Sequence, residues 1–368
     1  MISIQKIKNS ATVPALLSTN SMKKGHKASM TLHKTKRMPG RLLARLGIGV
    51  LAVAAVLGVA ACGSGGSDSI DLVAYSTPQQ AYEDNIEPAF EKTDDGDGID
   101  FSNSFGGSGD QSRAVEAGQS ADVVAFSLEP DMTRLVEAGI VGPDWDAGQY
   151  KGIVTDSVVT LMVRKGNPKG IQSFDDLASG DVEVITPNPA TSGGARWNIM
   201  ALYGSQINEG KSDQQALDFV KTVLQNTSVQ DDSARDSLQT FSGGKGDVLI
   251  GYENEAIQAQ KEGIDLDYVT PDSTILIENP VAVTEDASDA GKPFVDFLYT
   301  DEAQQAFADA GYRPVVKSVF DQNADKFPIP SGQFTIADFG GWDKVADPFF
   351  GDDGSVIEIE KQLGNPTE

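Results

Sequence analysis

Short apolar runs alternate with amphipathic stretches along most of the chain. Ile70-Asp71-Leu72-Val73-Ala74-Tyr75-Ser76 is brief, apolar and closed by polar residues, and it predicts a strand. Residues 78–93 follow with Ala81, Ile86, Ala89 and Phe90 on one helical face and Pro78 at the start; Pro88 inside the stretch predicts a kink or a split. Residues 99–105 alternate and predict a strand, 109–118 a short helix with Ala114 and Val115 inward, and 121–127 another buried strand. The rhythm continues with strands over 159–166 and 182–188, a helix opening near 193 and an amphipathic helix over 216–226. Residues 246–256 pass from strand to helix, 273–286 read as two short extended pieces, and 290–315 hold two helices. No internal repeat interrupts the alternation. Such βαβ succession predicts an α/β protein with parallel-rich sheets and helices on both faces.

Three strand-to-helix junctions share an unusual composition. Ser192-Gly193-Gly194 stands between a strand and the helix that begins Ala195-Arg196-Trp197, after a turn stiffened by Pro187 and Pro189. Glycine is a poor helix former, so its place there needs a reason. Ser192 suits an N-cap, and Gly193 and Gly194 would present first-turn N–H groups with no side chain in the way, where the helix dipole favours an anion. On this stretch alone, an ordinary cap with small residues for packing explains the sequence as well. Phe105-Gly106-Gly107-Ser108-Gly109 repeats the parts, and Ser76-Thr77-Pro78 again follows a strand. Helix starts gathered at the carboxyl edges of sheets are where open α/β folds bind ligands. Asp94-Asp95-Gly96-Asp97-Gly98 hints at a calcium loop but lacks the placed glycine and the closing Glu, and reads as a solvated turn.

Composition narrows the chemistry. The 368 residues suggest two domains, and 39% hydrophobic with 23% charged residues describes a globular chain. Charge is divided unevenly. Residues 1–61 carry ten Lys and Arg and no acid, which leaves 19 basic against 54 acidic residues in the remainder. A body this acidic excludes nucleic-acid binding through phosphate neutralisation and predicts a soluble monomer. The basic stretch leads into the apolar run 46–61, 16 residues long and short for a membrane span. Basic flank, apolar middle and small residues at the end predict a secretory signal over 1–61, with Met30 and Met38 as alternative starts. Its end, Val59-Ala60-Ala61-Cys62-Gly63, resembles the lipobox of bacterial lipoproteins. That resemblance implies cleavage, lipidation of Cys62 and a flexible Gly/Ser tether over 62–69. Cys62 is the only cysteine and both histidines, His26 and His33, precede it. The body is therefore excluded from internal disulfides, Ser–His triads, thiol nucleophiles and typical zinc sites, and nothing in it calls for a metal or cofactor. Residues 242–247 (SGGKGD) do not complete a Walker pattern.

The stretches 106–124, 161–177, 182–204, 244–256, 311–315 and 339–345 together resemble the sulfate-binding proteins of sulfate and thiosulfate ABC importers, "NPATSGGARWN" most specifically. The resemblance implies a two-lobed, periplasmic-binding-protein-like fold of type II. Lobe 1 would comprise 68–157 plus 274–368, lobe 2 would comprise 158–273, and two crossing segments near 158 and 273 would form the hinge. It implies one oxyanion held between the lobes by neutral donors with no cation touching it. By position these donors are Ser76, Ser108, Ser192, Gly193, Gly194, Ala234 and Tyr252. Ser76 stands where the family commonly has Asp acting through its N–H, Tyr252 where it often has Trp, and Asp231-Asp232-Ser233-Ala234-Arg235 replaces a more glycine-rich version. An ABC permease as partner and an extracytoplasmic, lipid-anchored location are implied as well.

Sulfate has acceptors only, so a cage of donors suits it. A protonated phosphate would bury a hydroxyl without a partner, at about 1–3 kcal/mol, or about one to two decades in affinity. An acceptor supplied by Tyr252 or Asp232 would shrink that margin. Arg113, Arg196 and Arg235 lie near the same loops, where they offset the acidic field or serve packing. Two other functions stay open on the sequence: the same fold with phosphate, molybdate or tungstate, and a carboxylate-based extracytoplasmic hydrolase, for which no stretch reads as a catalytic motif.

Overall fold

Strand β1 (Ser69–Tyr75) runs parallel to β2 (Asp100–Gly106) along its whole length, from Ser69 beside Asp100 to Tyr75 beside Gly106. Its other edge pairs in parallel with β3 (Val123–Ala125). These coordinates are a computed structural model that describes residues 69–367; the signal segment 1–61, Cys62 and the tether up to residue 68 lie outside the described residues. The next strand, β4 (Ile153–Arg164), begins earlier than expected and is 12 residues long. Beyond it come β5 (Val184–Pro187), β6 (Thr227–Asp231), β7 (Val248–Tyr252), β8 (Leu266–Val269), β9 (Leu276–Val283) and β10 (Arg313–Pro314). β9 is one continuous strand where two extended pieces were expected.

The strand order is β2-β1-β3-β9-β4-β7-β5-β6, with β8 and β10 also on β4. The outer groups are parallel, β1 with β2 and β3, and β5 with β6 and β7. The connecting steps, β3 to β9, β9 to β4 and β4 to β7, are antiparallel. β4 therefore serves two sheet halves at once. Thr155 to Val158 pair with β9, while Val159 to Val163 pair with β7.

Alternation along the strands fills both faces, the mark of a sheet covered on two sides. In the first half Ile70, Leu72 and Ala74 pack with Tyr82, Phe90, Phe294 and Phe307, while Val73 and Val124 face Phe126, Met132 and Leu135. In the second, Leu161, Val163, Val184 and Ile250 pack on Trp197, Met200 and Leu224, while Met162, Ile185 and Leu249 face Phe241 and Ala256. The expected helix over 78–93 is one helical run with a π turn at Tyr82–Ile86, where the Glu87 N–H reaches Tyr82 O. That wider turn stands just before Pro88, which has no N–H to continue the α ladder. The helix Glu129–Glu137 was not anticipated; Pro130 occupies its first turn, where a missing N–H costs nothing.

The C-terminal segment does not pack where its place in the chain suggests. Phe334, Ile336, Trp342, Val345, Phe350 and Ile359 join the core of the second half, with the Trp342 ring edge-on to Trp197 at 4.8 Å. The seam is tight at Gly204 on the helix Gly193–Asn208, where a Cβ would come within 2.2 Å of Phe334 Cε2.

Gly204→Ala is accordingly expected to destabilise the protein by about 1–3 kcal/mol through overpacking, although alanine favours a helix by about 1 kcal/mol. Denaturant unfolding of the two proteins measures this, and a gain in stability for the variant would contradict the packing described.

Candidate functional site

The carboxyl ends of the parallel strands face one point. Ser76 follows β1, the helix Ser108–Glu116 follows β2, Ser127 stands two residues past β3, the helix Gly193–Asn208 follows β5 and the helix Ala234–Ser242 follows β6. A small cavity lies there, lined by Tyr75, Ser76, Thr77, Gly106, Gly107, Ser108, Ser127, Ser192, Gly194 and Ala234. Its empty volume is about 190 Å³, and the centre of a water-sized sphere has only about 10 Å³ in which to move. That admits a small ion and excludes a metabolite of ordinary size. No Lys, Arg, Asp or Glu is among these lining residues.

Each wall is a helix start. Ser192 caps its helix, with its Oγ accepting from Ala195 N at 3.4 Å, so its own hydroxyl hydrogen is free to turn outward. Ser233 caps the next helix through Asp236 N, which leaves Ala234 at the first position. Gly107 precedes Ser108 in the same way. First-turn N–H groups have no acceptor within their own helix, and here they are buried, so the cavity is rimmed by donors that want a guest.

The two sequence halves are held face to face across the cavity. Gly109 N donates to Thr191 O at 3.0 Å and Trp197 Nε1 to Ser127 O at 2.8 Å, while within the second half Thr191 Oγ1 donates to Asp232 O at 2.8 Å. Glycine makes this approach feasible. A Cβ on Gly107 would stand 2.9 Å from Thr191 O, and one on Gly193 would stand 2.7 Å from Leu128 Cδ2 and 2.9 Å from Ser127 Oγ. Arg313 and Glu253, with side chains both 3% exposed, form a buried two-pronged ion pair at 2.8 and 3.1 Å.

The expected donors fall into three groups. Ser76, Ser192, Gly194 and Ala234 line the cavity. Ser108 lines it too, but its hydroxyl is engaged: it donates to Asp131 Oδ2 at 2.5 Å and accepts from Ser127 N at 3.0 Å. What Ser108 has to offer is its main-chain N–H. Gly193 is buried beside the cavity and outside its lining. Tyr252 does not line the cavity either; it is 1% exposed, and its hydroxyl meets Ser127 Oγ at 2.6 Å. Ser127 stands in front of it. Burial pushes the Tyr252 hydroxyl far above its ordinary pKa, with its hydrogen bonding to Ser127 and Asn279 opposing the shift, so it keeps its proton.

Sequence reasoning missed Ser127, Thr77 and the buried carboxylate of Asp131. A polar residue directly after a predicted buried strand was the available signal for Ser127. The three arginines stand outside the lining. Arg196 Nε donates to Pro189 O at 2.9 Å with its guanidinium over Phe350, and Arg113 pairs with Asp110. Arg235 borders a separate, larger cavity with an empty volume of about 850 Å³, together with Gln80, Glu255 and Gln258. Burial lowers the Arg196 pKa, Asp131 opposes that shift, and Arg134 and Arg113 add to it. Asp232 is exposed and outside the lining, with its carbonyl against Gly107.

Comparisons with known proteins agree with this geometry. A family model described as bacterial extracellular solute-binding protein matches residues 70–313. A "Sulfate-binding protein" of Synechococcus elongatus is 43% identical, over 85% of this chain and 95% of its own. A "Thiosulfate-binding protein" of Escherichia coli is 34% identical, over 74% of this chain and 86% of its own. Among solved structures, the sulfate-binding protein SubI from Mycobacterium tuberculosis superposes with a TM-score of 0.74 and 46% identity, covering 76% of this chain and 98% of that one.

Glu255 sits behind the site, where its carboxylate accepts from Tyr252 N at 3.2 Å. Burial raises its pKa from 4.5 to about 7, against the Tyr252 N–H and the Arg235 charge. Between these two values the native state holds more protons than the unfolded one, so this group's contribution to stability is lost as pH rises from about 5 to about 8. Glu255→Gln is expected to lose less stability over that range than the parent protein, measured as denaturant midpoints at each pH. Parallel pH profiles would contradict the assignment.

Proposed function

The chain belongs to the bacterial extracellular solute-binding proteins, and on that premise we infer that it captures sulfate, with thiosulfate as the second candidate ligand, for an ABC importer. Its role is extracytoplasmic capture and delivery, not turnover. One observation carries the reading: helix starts from both halves of the chain meet at a void of ionic size whose lining has no charged side chain. A tetrahedral dianion with acceptors on every side fits such a lining.

In this reading the bound oxyanion receives hydrogen bonds from the main chain at Ser76, Ser108, Gly194 and Ala234, from the Ser192 hydroxyl, and from Gly193 at the helix start. Roughly six bonds to a charged group, at about 1.5–3 kcal/mol each, less at least about 4 kcal/mol for association, give micromolar binding or tighter. Lobe 1 would be residues up to about 157 with about 274–333, and lobe 2 about 158–273, joined by crossing segments near 158 and 273; the last helices, expected with lobe 1, pack on the core of the second half and would move with it. Opening about β4 would part the Gly109–Thr191 and Trp197–Ser127 contacts and release the ion to a permease. A lipid on Cys62 would tether the protein to the outer face of the membrane, where it works as a monomer.

Titration calorimetry with sulfate is expected to show one-to-one binding at micromolar strength or better, with no product formed. Ser192→Ala should weaken it about ten- to a hundredfold. Small-angle scattering should show contraction on adding sulfate. Absence of heat with both sulfate and thiosulfate would overturn the function.

A further inference from the structure

Resting on the sulfate-capture reading, we propose that Ser127 is a direct donor to the bound oxyanion and that Tyr252 is a positioning residue acting through it, so that the pair rejects protonated oxyanions.

The main chain of Ser127 is pinned from three sides. Its N–H donates to Ser108 Oγ at 3.0 Å, and its carbonyl accepts from Trp197 Nε1 at 2.8 Å and from Asn279 Nδ2 at 3.1 Å. Its side chain lines the cavity, and Gly193 opposite has no Cβ to displace it. The hydroxyl has two directions open to its hydrogen, toward the Tyr252 oxygen or toward the cavity.

Tyr252 decides between them. Among the described residues, Ser127 Oγ is the hydrogen-bond partner of the Tyr252 hydroxyl, at 2.6 Å in a site 1% exposed. A buried O–H without an acceptor is penalised, so the tyrosine donates to Ser127 Oγ. Asn279 supports that direction. Thr155 Oγ1 donates to its Oδ1 at 3.3 Å, which leaves its Nδ2 as the group turned toward Ser127 O and the tyrosine. With Tyr252 donating, the Ser127 hydrogen points into the cavity. Ser127 then meets sulfate with its hydrogen, and presents that hydrogen and not a lone pair to the hydroxyl of hydrogen phosphate, an ion of equal charge and similar shape. The tyrosine thus contributes to the site at one remove, through the serine in front of it.

The test measures dissociation constants for sulfate and for hydrogen phosphate at pH 8 with the parent protein, Tyr252→Phe, Ser127→Ala and Asn279→Asp. Losing the phenol frees Ser127 Oγ to accept, so Tyr252→Phe should lower the sulfate-over-phosphate preference about tenfold while sulfate binding falls less. Ser127→Ala should weaken sulfate about tenfold or more. Asn279→Asp turns the Tyr252 hydrogen toward the new carboxylate and makes Ser127 an acceptor toward the cavity. It should weaken both dianions and shift the preference toward hydrogen phosphate. Tyr252→Phe retains volume, so it reports even where the buried aspartate prevents folding. A Tyr252→Phe protein that loses affinity for both ions by the same factor, or for neither, would overturn the relay and leave sulfate capture intact. A parent protein that binds neither ion would instead overturn the capture reading.

Discussion

A helix cannot satisfy the N–H groups of its own first turn, and this protein buries several such turns against one another. Most proteins let those groups reach water or a capping side chain. Here only one amide in each of two caps is satisfied from within, Ala195 N by Ser192 and Asp236 N by Ser233. Gly109 N finds Thr191 O, and the starts at Ser108, Gly194 and Ala234 line a void with no charged group in its walls. Buried donors left unpaired are costly, so the closed arrangement is complete only with an acceptor-rich guest. On the proposed function, recognition and closure are the same event: the ion would be bound because the halves meet, and the halves would stay together because the ion supplies what their helix starts lack.

That arrangement demands close approach of main chain to main chain, which explains where the glycines sit. Gly107 lets the loop after β2 touch Thr191 O and Asp232 O, and Gly193 lets its helix touch Ser127 and Leu128. Gly194 differs. A Cβ there would make only ordinary contacts, the nearest at 3.4 Å, so its lack of a side chain leaves the cavity open and does not relieve a clash. The same dipeptide thus serves packing at one position and ligand access at the next.

How much of this was legible from the sequence follows from what each feature depends on. β1, β2 and β5 and the helix starts after them could be read because local periodicity and capping chemistry decide them. The length of β4 could not, since residues 153–158 owe their conformation to pairing with β9 and β10. The docking of Trp342 and Phe350 on the second half is likewise a tertiary choice that no local pattern announces. Within the candidate site, the helix starts that line the cavity were legible because position in the fold fixes them. Side-chain roles at Ser108 and Tyr252 were not, because they turn on neighbours distant in sequence. Asp131 engages the Ser108 hydroxyl from 23 residues away, and Ser127 stands in front of Tyr252 from 125 residues away.

The acidity of the body is consistent with this chemistry once distance is considered. Outside residues 1–61 the acids outnumber the bases 54 to 19, and a dianion must approach through that field. Exposed charges act through water and salt and fade beyond about 8–10 Å. Amide dipoles in a dry cavity act at hydrogen-bond distance, where screening is weak. The nearby carboxylates are also tied up. Asp131 accepts from Ser108 and faces Arg134 at 3.5 Å, and Glu253 is paired with Arg313. The surface charge thus governs solubility and encounter, while affinity is set by a handful of oriented neutral donors. A strong cation in the wall would attract every anion alike, whereas donors of fixed direction can distinguish an oxygen that carries a proton from one that does not.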